Sequence, residues 1–178
     1  MWLSICFLIL FLTVASTDGL YFHLYKYRLY ALPASRYEHL LHTINSGLLP
    51  PQVYLMFCVR PAGAWLWVTL GLTLFSFAIE ILDVLGEKDS RAALGGLSPA
   101  ESAMHFFMGV MRSAYVMVFF AGMTAVDFTG AAALSTVELI PRMIGYCVIV
   151  PAVCIAVFHW LLLWTGRPLP AREPVEIL

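Results

Sequence analysis

The sequence predicts an all-α integral membrane protein with five transmembrane helices. A duplicated helical hairpin forms a four-helix bundle, and one peripheral C-terminal helix leans on it. Three observations carry this expectation. First, 61% of the 178 residues are hydrophobic and only 12% are charged, against about half and about a quarter in a soluble domain. A chain of this length has no core large enough to hide the excess, so its solvent is a bilayer. Second, five apolar stretches are long enough to cross that bilayer as helices, which satisfy their own backbone where no water can. Third, one motif occurs twice, 63 residues apart. Its copies are Arg28, Ser35, Glu38, His42 and Arg91, Ser98, Glu101, His105, each with gaps of seven, three and four.

The first span is expected at about Trp2–Phe22. Met1 to Ala15 is apolar but has no positively charged start, so a retained signal anchor fits better than a cleaved leader. The helical pattern runs on to about Leu29–Ala31, and Pro33 ends it. The second span, Leu40–Val59, is the least apolar and should kink at Pro50-Pro51. The third, Ala64–Val84, continues as helix to about Leu94, where Gly95-Gly96 is a natural stop. The fourth is Ala103–Ala125. The fifth, Leu139–Trp164, contains Pro141 and Pro151. Short turns at Leu32–Ala34 and Gly95–Leu97 imply two tight antiparallel hairpins, over about 2–60 and 64–126. Both run in the same sense, so a pseudo-twofold axis along the membrane normal should place Glu38 on Glu101 and His42 on His105. Residues 1–165 then form one transmembrane domain, and 166–178 an irregular cytoplasmic tail.

Charge sets the orientation. With five spans, Lys26, Arg28, Arg36, Lys88, Arg91, Arg167 and Arg172 share one side. The positive-inside rule makes that side cytoplasmic and puts the N-terminus outside, as in a bacterial inner membrane. Tyr21, Tyr25, Tyr27, Tyr30 and Tyr37 crowd the same end like an interfacial aromatic belt. A net charge of −1 argues against nucleic acid as a partner. Cys6, Cys58, Cys147 and Cys154 lie in apolar runs without metal or redox spacing, and read as small buried apolar residues.

The repeated motif has two readings. Ser-x-x-Glu at a helix start is a capping box, with Pro99 in the favoured first position of the helix. That accounts for Ser and Glu but not for a His four residues later in both copies. Residues i and i+4 share a helical face, so Glu38 with His42, and Glu101 with His105, can each present an oxygen and a nitrogen to one point. Counting outward from each turn puts His105 level with Lys88 and next to Glu87. It puts His42 level with Tyr25, with His23 within a turn. Glu80, Asp83 and Glu87 form one acidic stripe on the third helix, at i, i+3 and i+7. Arg112, well inside the fourth span, falls level with Glu80, and an ion pair is expected there because a lone buried charge is costly. His159 belongs to the same leaflet, and His39 reads as interfacial.

These residues define a candidate metal set of Glu38, His42, Asp83, Glu87, Glu101, His105 and His23, supported from outside by Glu80 and Arg112. The layout resembles the dimetal-carboxylate four-helix bundles of the ferritin-like class. There, two helices each supply a carboxylate and two each supply Glu-x-x-His, all pointing inward. Here the spacing is Glu-x-x-x-His, and the first helix offers His23, with Asp18 deeper and on another face. The resemblance implies iron, with zinc or manganese also suited to imidazole and carboxylate ligands. A site at the cytoplasmic interface, in a bundle with lipid on all sides, suits an apolar substrate such as a quinone, fatty acyl chain or isoprenoid, which a redox-active dinuclear iron site would oxidise or hydroxylate. Zinc would point to hydrolysis instead. Three other readings stay open. One is a b-type cytochrome with haem between His42 and His105 or between His23 and His159. Another is a cation or proton carrier using the acidic stripe. The third is a structural subunit of a membrane complex.

Overall fold

The computed structural model describes residues 1–165, so the tail expected at 166–178 lies outside the described residues. The chain is mostly helical. Helix α1 (Trp2–Ser16) passes directly into a π-helix, Thr17–Lys26. Two single 3-10 turns, Leu29–Ala31 and Pro33–Ser35, lead into α2 (Arg36–Val53), which ends in a π-helical turn, Tyr54–Cys58. A short strand, β1 (Val59–Ala62), precedes α3 (Ala64–Ser90). A 3-10 turn (Ala92–Leu94) and the left-handed Gly95 and Gly96 connect α3 to α4 (Pro99–Ala121). Then come α5 (Ala125–Thr129), β2 (Ala133–Thr136) and α6 (Leu139–Thr165).

Among the described residues, four segments are long and apolar enough to cross a membrane: Trp2–Lys26, Ala64–Ser90, Pro99–Ala121 and Leu139–Thr165. This makes the chain an all-α membrane protein. The helix α2 falls short on hydropathy because it carries Glu38, His39, His42, Thr43, Asn45, Ser46 and Gln52. Its position explains why it can. It packs against α3 on one side and α6 on the other, so neighbouring helices cover much of the surface that lipid would otherwise meet.

The long helices form two layers, α6–α2–α3 and α1–α4. The two helices of each hairpin meet at their turn but pack on helices of the other hairpin, α1 on α4 and α2 on α3, with α2 packed at least as extensively on α6. The tight hairpins expected from the short turns therefore open above them, because a cavity and a polar cluster lie between the layers. Contacts between α2 and α3 step in opposite directions along the chain, through Ser35–Ser90, His42–Asp83, Asn45–Ser76 and Gln52–Leu72. These two helices are therefore antiparallel. The contacts Ser4–Tyr115 and Asp18–His105 show the same for α1 and α4. The sixth helix is less peripheral than expected. Its pairing with α2 is extensive, and at Gly145 it approaches so closely that a Cβ would lie 2.5 Å from Cys58 Sγ.

An apolar core ties the layers together at the strand end, through Ile5, Leu8, Val53, Met56, Phe57, Leu66, Tyr115, Val116 and Phe119. A cap that periodicity did not anticipate closes this end. β1 and β2 pair antiparallel, α5 starts with a Thr124–Asp127 capping box, and Arg60 meets Asp127 at 3.1 Å. The Thr124 backbone amide, chiefly, holds the Asp127 carboxyl below the usual range. Gly63 joins cap to helix at φ 56°, where any Cβ would strike the Gly130 carbonyl oxygen. The opposite end carries both motif turns.

Candidate metal centre

The two copies of the motif fold differently. Ser98 caps α4: its hydroxyl accepts from the Glu101 amide at 3.3 Å, and Glu101 Oε2 reaches back to the Ser98 amide at 3.1 Å. Ser35 makes no such cap. Its hydroxyl lies 2.8 Å from that of Ser90 on α3. Arg28 sits half-buried in a left-handed conformation, φ 50°, whereas Arg91 is wholly buried. Arg91 holds both motifs at once. Its Nη1 donates to Glu38 Oε2 at 2.7 Å, its Nε to Glu101 Oε1 at 3.4 Å, and its Nη2 lies 3.2 Å from His23 Nε2. Burial alone would weaken its charge, but Glu38 and Glu101 outweigh burial and hold the guanidinium more firmly protonated than usual. Sequence reasoning treated this arginine as a marker of membrane side. Its role as the clamp between the hairpins was missed.

This clamp separates the two glutamates. Both oxygens of Glu101 are engaged, one by Arg91 and one by the Ser98 cap, and Glu101 is in neither of the His/carboxylate groups described below. Glu38 gives only Oε2 to Arg91. Its Oε1 is buried with no hydrogen-bond partner, and a Glu38 oxygen lies with nitrogens of His23 and His42 inside a 4.8 Å group.

A second group of the same size joins Asp18, His23 and His105. Asp18 Oδ2 stands 3.2 Å from both His23 Nε2 and His105 Nε2, and Asp18 Oδ1 has no partner. On its other side His105 Nδ1 comes within 2.8 Å of Glu87 Oε1, in poor alignment for a hydrogen bond. His42 Nδ1 is 3.0 Å from Asp83. The His42 and His105 rings flank one imidazole, with centroids 4.6 and 6.0 Å from that of His23. Of the expected ligands, His23, Glu38, His42, Asp83, Glu87 and His105 thus converge.

Asp18 was assigned to the wrong face for a definite reason. In an α-helix, i and i+5 diverge by more than a right angle at about 3.6 residues per turn. The segment Thr17–Lys26 is π-helical, and its wider turn carries i and i+5 on one side. Asp18 and His23 are five apart. π-Helical segments recur at functional sites, but no residue pattern in the sequence announces this one.

Asp18, His42, Asp83, Glu87 and His105 form the polar floor of a cavity of about 340 Å³ between the layers, whereas His23 and Glu38 are not in its lining. All five long helices line it, with Phe11, Leu12, Leu49, Val148 and Ile155 among its apolar walls. Arg112 and Glu80 also border it and meet at 2.8 Å, as levelling from the turn predicts. Arg112 further contacts Ser76 and Asn45 and lies over the Phe77 ring. His159 reaches the cavity from α6 and stacks on His39, centroids 5.1 Å apart. His39 is therefore buried against α6 and not at an interface with water.

The chain matches no protein-family model, no curated protein and no solved structure. The site itself therefore carries the functional argument.

Proposed function

We propose that this chain is a five-span membrane protein with a dinuclear metal–carboxylate–imidazole centre, acting as an oxidoreductase or hydroxylase on a lipid-soluble substrate. The observation that carries the reading is the pair of His/carboxylate groups sharing His23, of which Asp18, His42 and His105 border an apolar-walled cavity. Asp18, His23, His105 and Glu87 form one half of the ligand set. His42, Asp83 and the free oxygen of Glu38 form the other. The donor chemistry fits a metal. Asp18 Oδ1 and Glu38 Oε1 are buried without hydrogen-bond partners, a state that is costly unless something else engages them. Ligand atoms within 4.8 Å of one another need only a small contraction to reach bonds of about 2.0–2.2 Å.

Mixed imidazole and carboxylate ligation suits iron first, then manganese or zinc. Iron would supply the redox chemistry. The protein's own groups hold the site together: Arg91 fixes Glu38 and His23, and the largely apolar cavity walls suit an apolar molecule. The second span is α2 with its π turn, its polar face turned to the bundle. The positive-inside rule then puts the motif turns in the cytoplasm and the N-terminus outside, as in a bacterial inner membrane. The packed pairs α1–α4 and α2–α3 interchange if the hairpins are exchanged, which supports an ancestral duplication. A haem between His42 and His105 is less favoured, because the His23 imidazole lies beside both rings, its centroid 4.6 and 6.0 Å from theirs.

The test is elemental analysis with an absorption spectrum of the protein purified in detergent. About two iron, manganese or zinc ions per chain, without the sharp blue-edge band of haem, is the expected result. A haem band, or no bound metal after anaerobic purification and iron supplementation, overturns the reading.

A further inference from the structure

The cavity between the layers is lined unevenly. Beyond Asp18 and His159, its walls from α1 and α6 are mostly apolar, through Phe11, Leu12, Val148, Pro151 and Ile155. From α2, α3 and α4 it is bordered by Asn45, Glu80 and Arg112. These three polar groups hold one another: Arg112 donates to Glu80 Oε2 at 2.8 Å and to Asn45 Oδ1 at 3.4 Å. They stand apart from the cluster at the floor. Asn45 is three residues past His42, and Glu80 three before Asp83, a rise of about 4–5 Å along each helix. Arg112 is seven past His105, a rise of about 10 Å. The cavity thus has two polar ends and an apolar side.

The end away from the floor has hydrogen-bonding capacity left over. An arginine only donates, so Asn45 must turn Oδ1 towards it, which leaves the Asn45 Nδ2 donors for another partner. Glu80 gives Arg112 only Oε2, and with its side chain 25% exposed the other oxygen is open to a further donor. Arg112 Nε is buried with no partner. Donors and an acceptor therefore lie side by side, which serves an oxygen that is a carbonyl in one state and a hydroxyl in another. This end is also neutral, because Glu80 balances Arg112. A carboxylate ligand would compete for the arginine and leave one buried anion uncompensated. A plain hydrocarbon would leave the polar groups unpaired.

The apolar side has an exit. Helix α1 packs on α4 and α6 on α2, and no extensive packing joins α1 to α6 among the described residues. Leu20 on one flank and Cys147 on the other line the cavity and are also exposed at the surface. The cavity is therefore open to lipid between these two helices.

We infer that the cavity binds a lipid quinone, as quinone or quinol. One ring oxygen meets Asn45, Glu80 and Arg112, the opposite oxygen points to the cluster, and the tail leaves between α1 and α6. A ring with oxygens at opposite ends matches two polar ends a few ångströms apart, and both oxygens are neutral in either form. A volume of about 340 Å³ is near the lower end of ligand pockets, about 300–1,000 Å³, and suits a ring with the first part of its tail. The inference rests on the reading of this cavity as the site of a lipid-soluble substrate, and names the class of that substrate.

The experiment is thermal unfolding of the full chain in detergent with decylubiquinone. Lauric acid and farnesol at equal mole fraction in the micelle are the comparisons, and metal content is measured on the same samples. A ligand that binds only the folded chain raises Tm by mass action. Saturating decylubiquinone should raise it by about 5 °C or more, and the acid and the alcohol by less than about 1 °C. Val148→Trp, which fills the apolar side, should lose the shift. Glu80→Leu/Arg112→Leu, which removes the polar end with its charges still balanced, should lose it too. If the double variant fails to fold, as judged by size-exclusion profile and helical circular dichroism, Asn45→Leu serves in its place. No shift from decylubiquinone overturns the inference. So does an equal shift from lauric acid or farnesol, or a full shift in a folded variant of either kind. Bound metal without a quinone shift would remove the quinone site and leave the metal reading standing. A quinone shift from a chain that binds no metal would keep the quinone site and remove the metal reading.

Discussion

Buried charge is the most expensive feature of this molecule, and two arginines show how it is managed. Arg112 lies inside the fourth span with 4% exposure and relies on Glu80, with Ser76 and Asn45 taking further donors. Removing one member of such a pair strands the other in a medium that cannot solvate it. Arg112→Leu should therefore destabilise the protein by about 3–5 kcal/mol, measured by thermal or denaturant unfolding in detergent. Glu80→Leu/Arg112→Leu together should recover much of that loss. An unchanged unfolding midpoint for Arg112→Leu would mean the pair does not bear on stability. Both partners were legible in the sequence, because distance from a short turn fixes depth and a lone charge at that depth demands a partner. The Arg91 clamp was not legible in the same way. Arginines at cytoplasmic helix ends are common, and only the three-dimensional meeting of Glu38, Glu101 and His23 on one guanidinium distinguishes this one from Arg28.

At the level of elements, identical spacing has produced unlike structures. Ser-x-x-Glu forms a capping box at Ser98 but not at Ser35. Ser98→Ala should cost about 0.5–2 kcal/mol and speed hydrogen exchange of the Glu101 amide. Ser35→Ala should leave the Glu38 amide unchanged and lose only its bond with Ser90. Equal effects on the two amides would show that the copies are capped alike. The π-helix makes a sharper forecast. Asp18 and His23 share a face because each π turn is wide. Deleting Gly19 shortens their separation to i, i+4, which an α-helix also places on one face. The deletion should keep metal binding, whereas inserting an alanine at the same point should abolish it with helicity retained. Loss of metal on both changes would refute the π register. Periodicity located the long helices well, since apolar length is a local property. It missed the π segments and the β1–β2 cap, since these depend on how the chain is pulled together at the site and at the far end.

Across the whole molecule, two helical layers are joined by an apolar core at one end and by a polar cluster at the other, with a cavity between them. Every long helix contributes to that cavity, including α6, which a hairpin-repeat reading leaves outside. The central claim is that His23 is shared by two metal positions, whereas Glu101 is a cap and a clamp partner. Metal stoichiometry of purified His23→Ala and Glu101→Gln, compared with wild type in detergent, tests this most directly. The account predicts that His23→Ala loses both ions together, while Glu101→Gln is less stable but retains both. It is contradicted if His23→Ala keeps its metal, or if Glu101→Gln loses it while remaining folded.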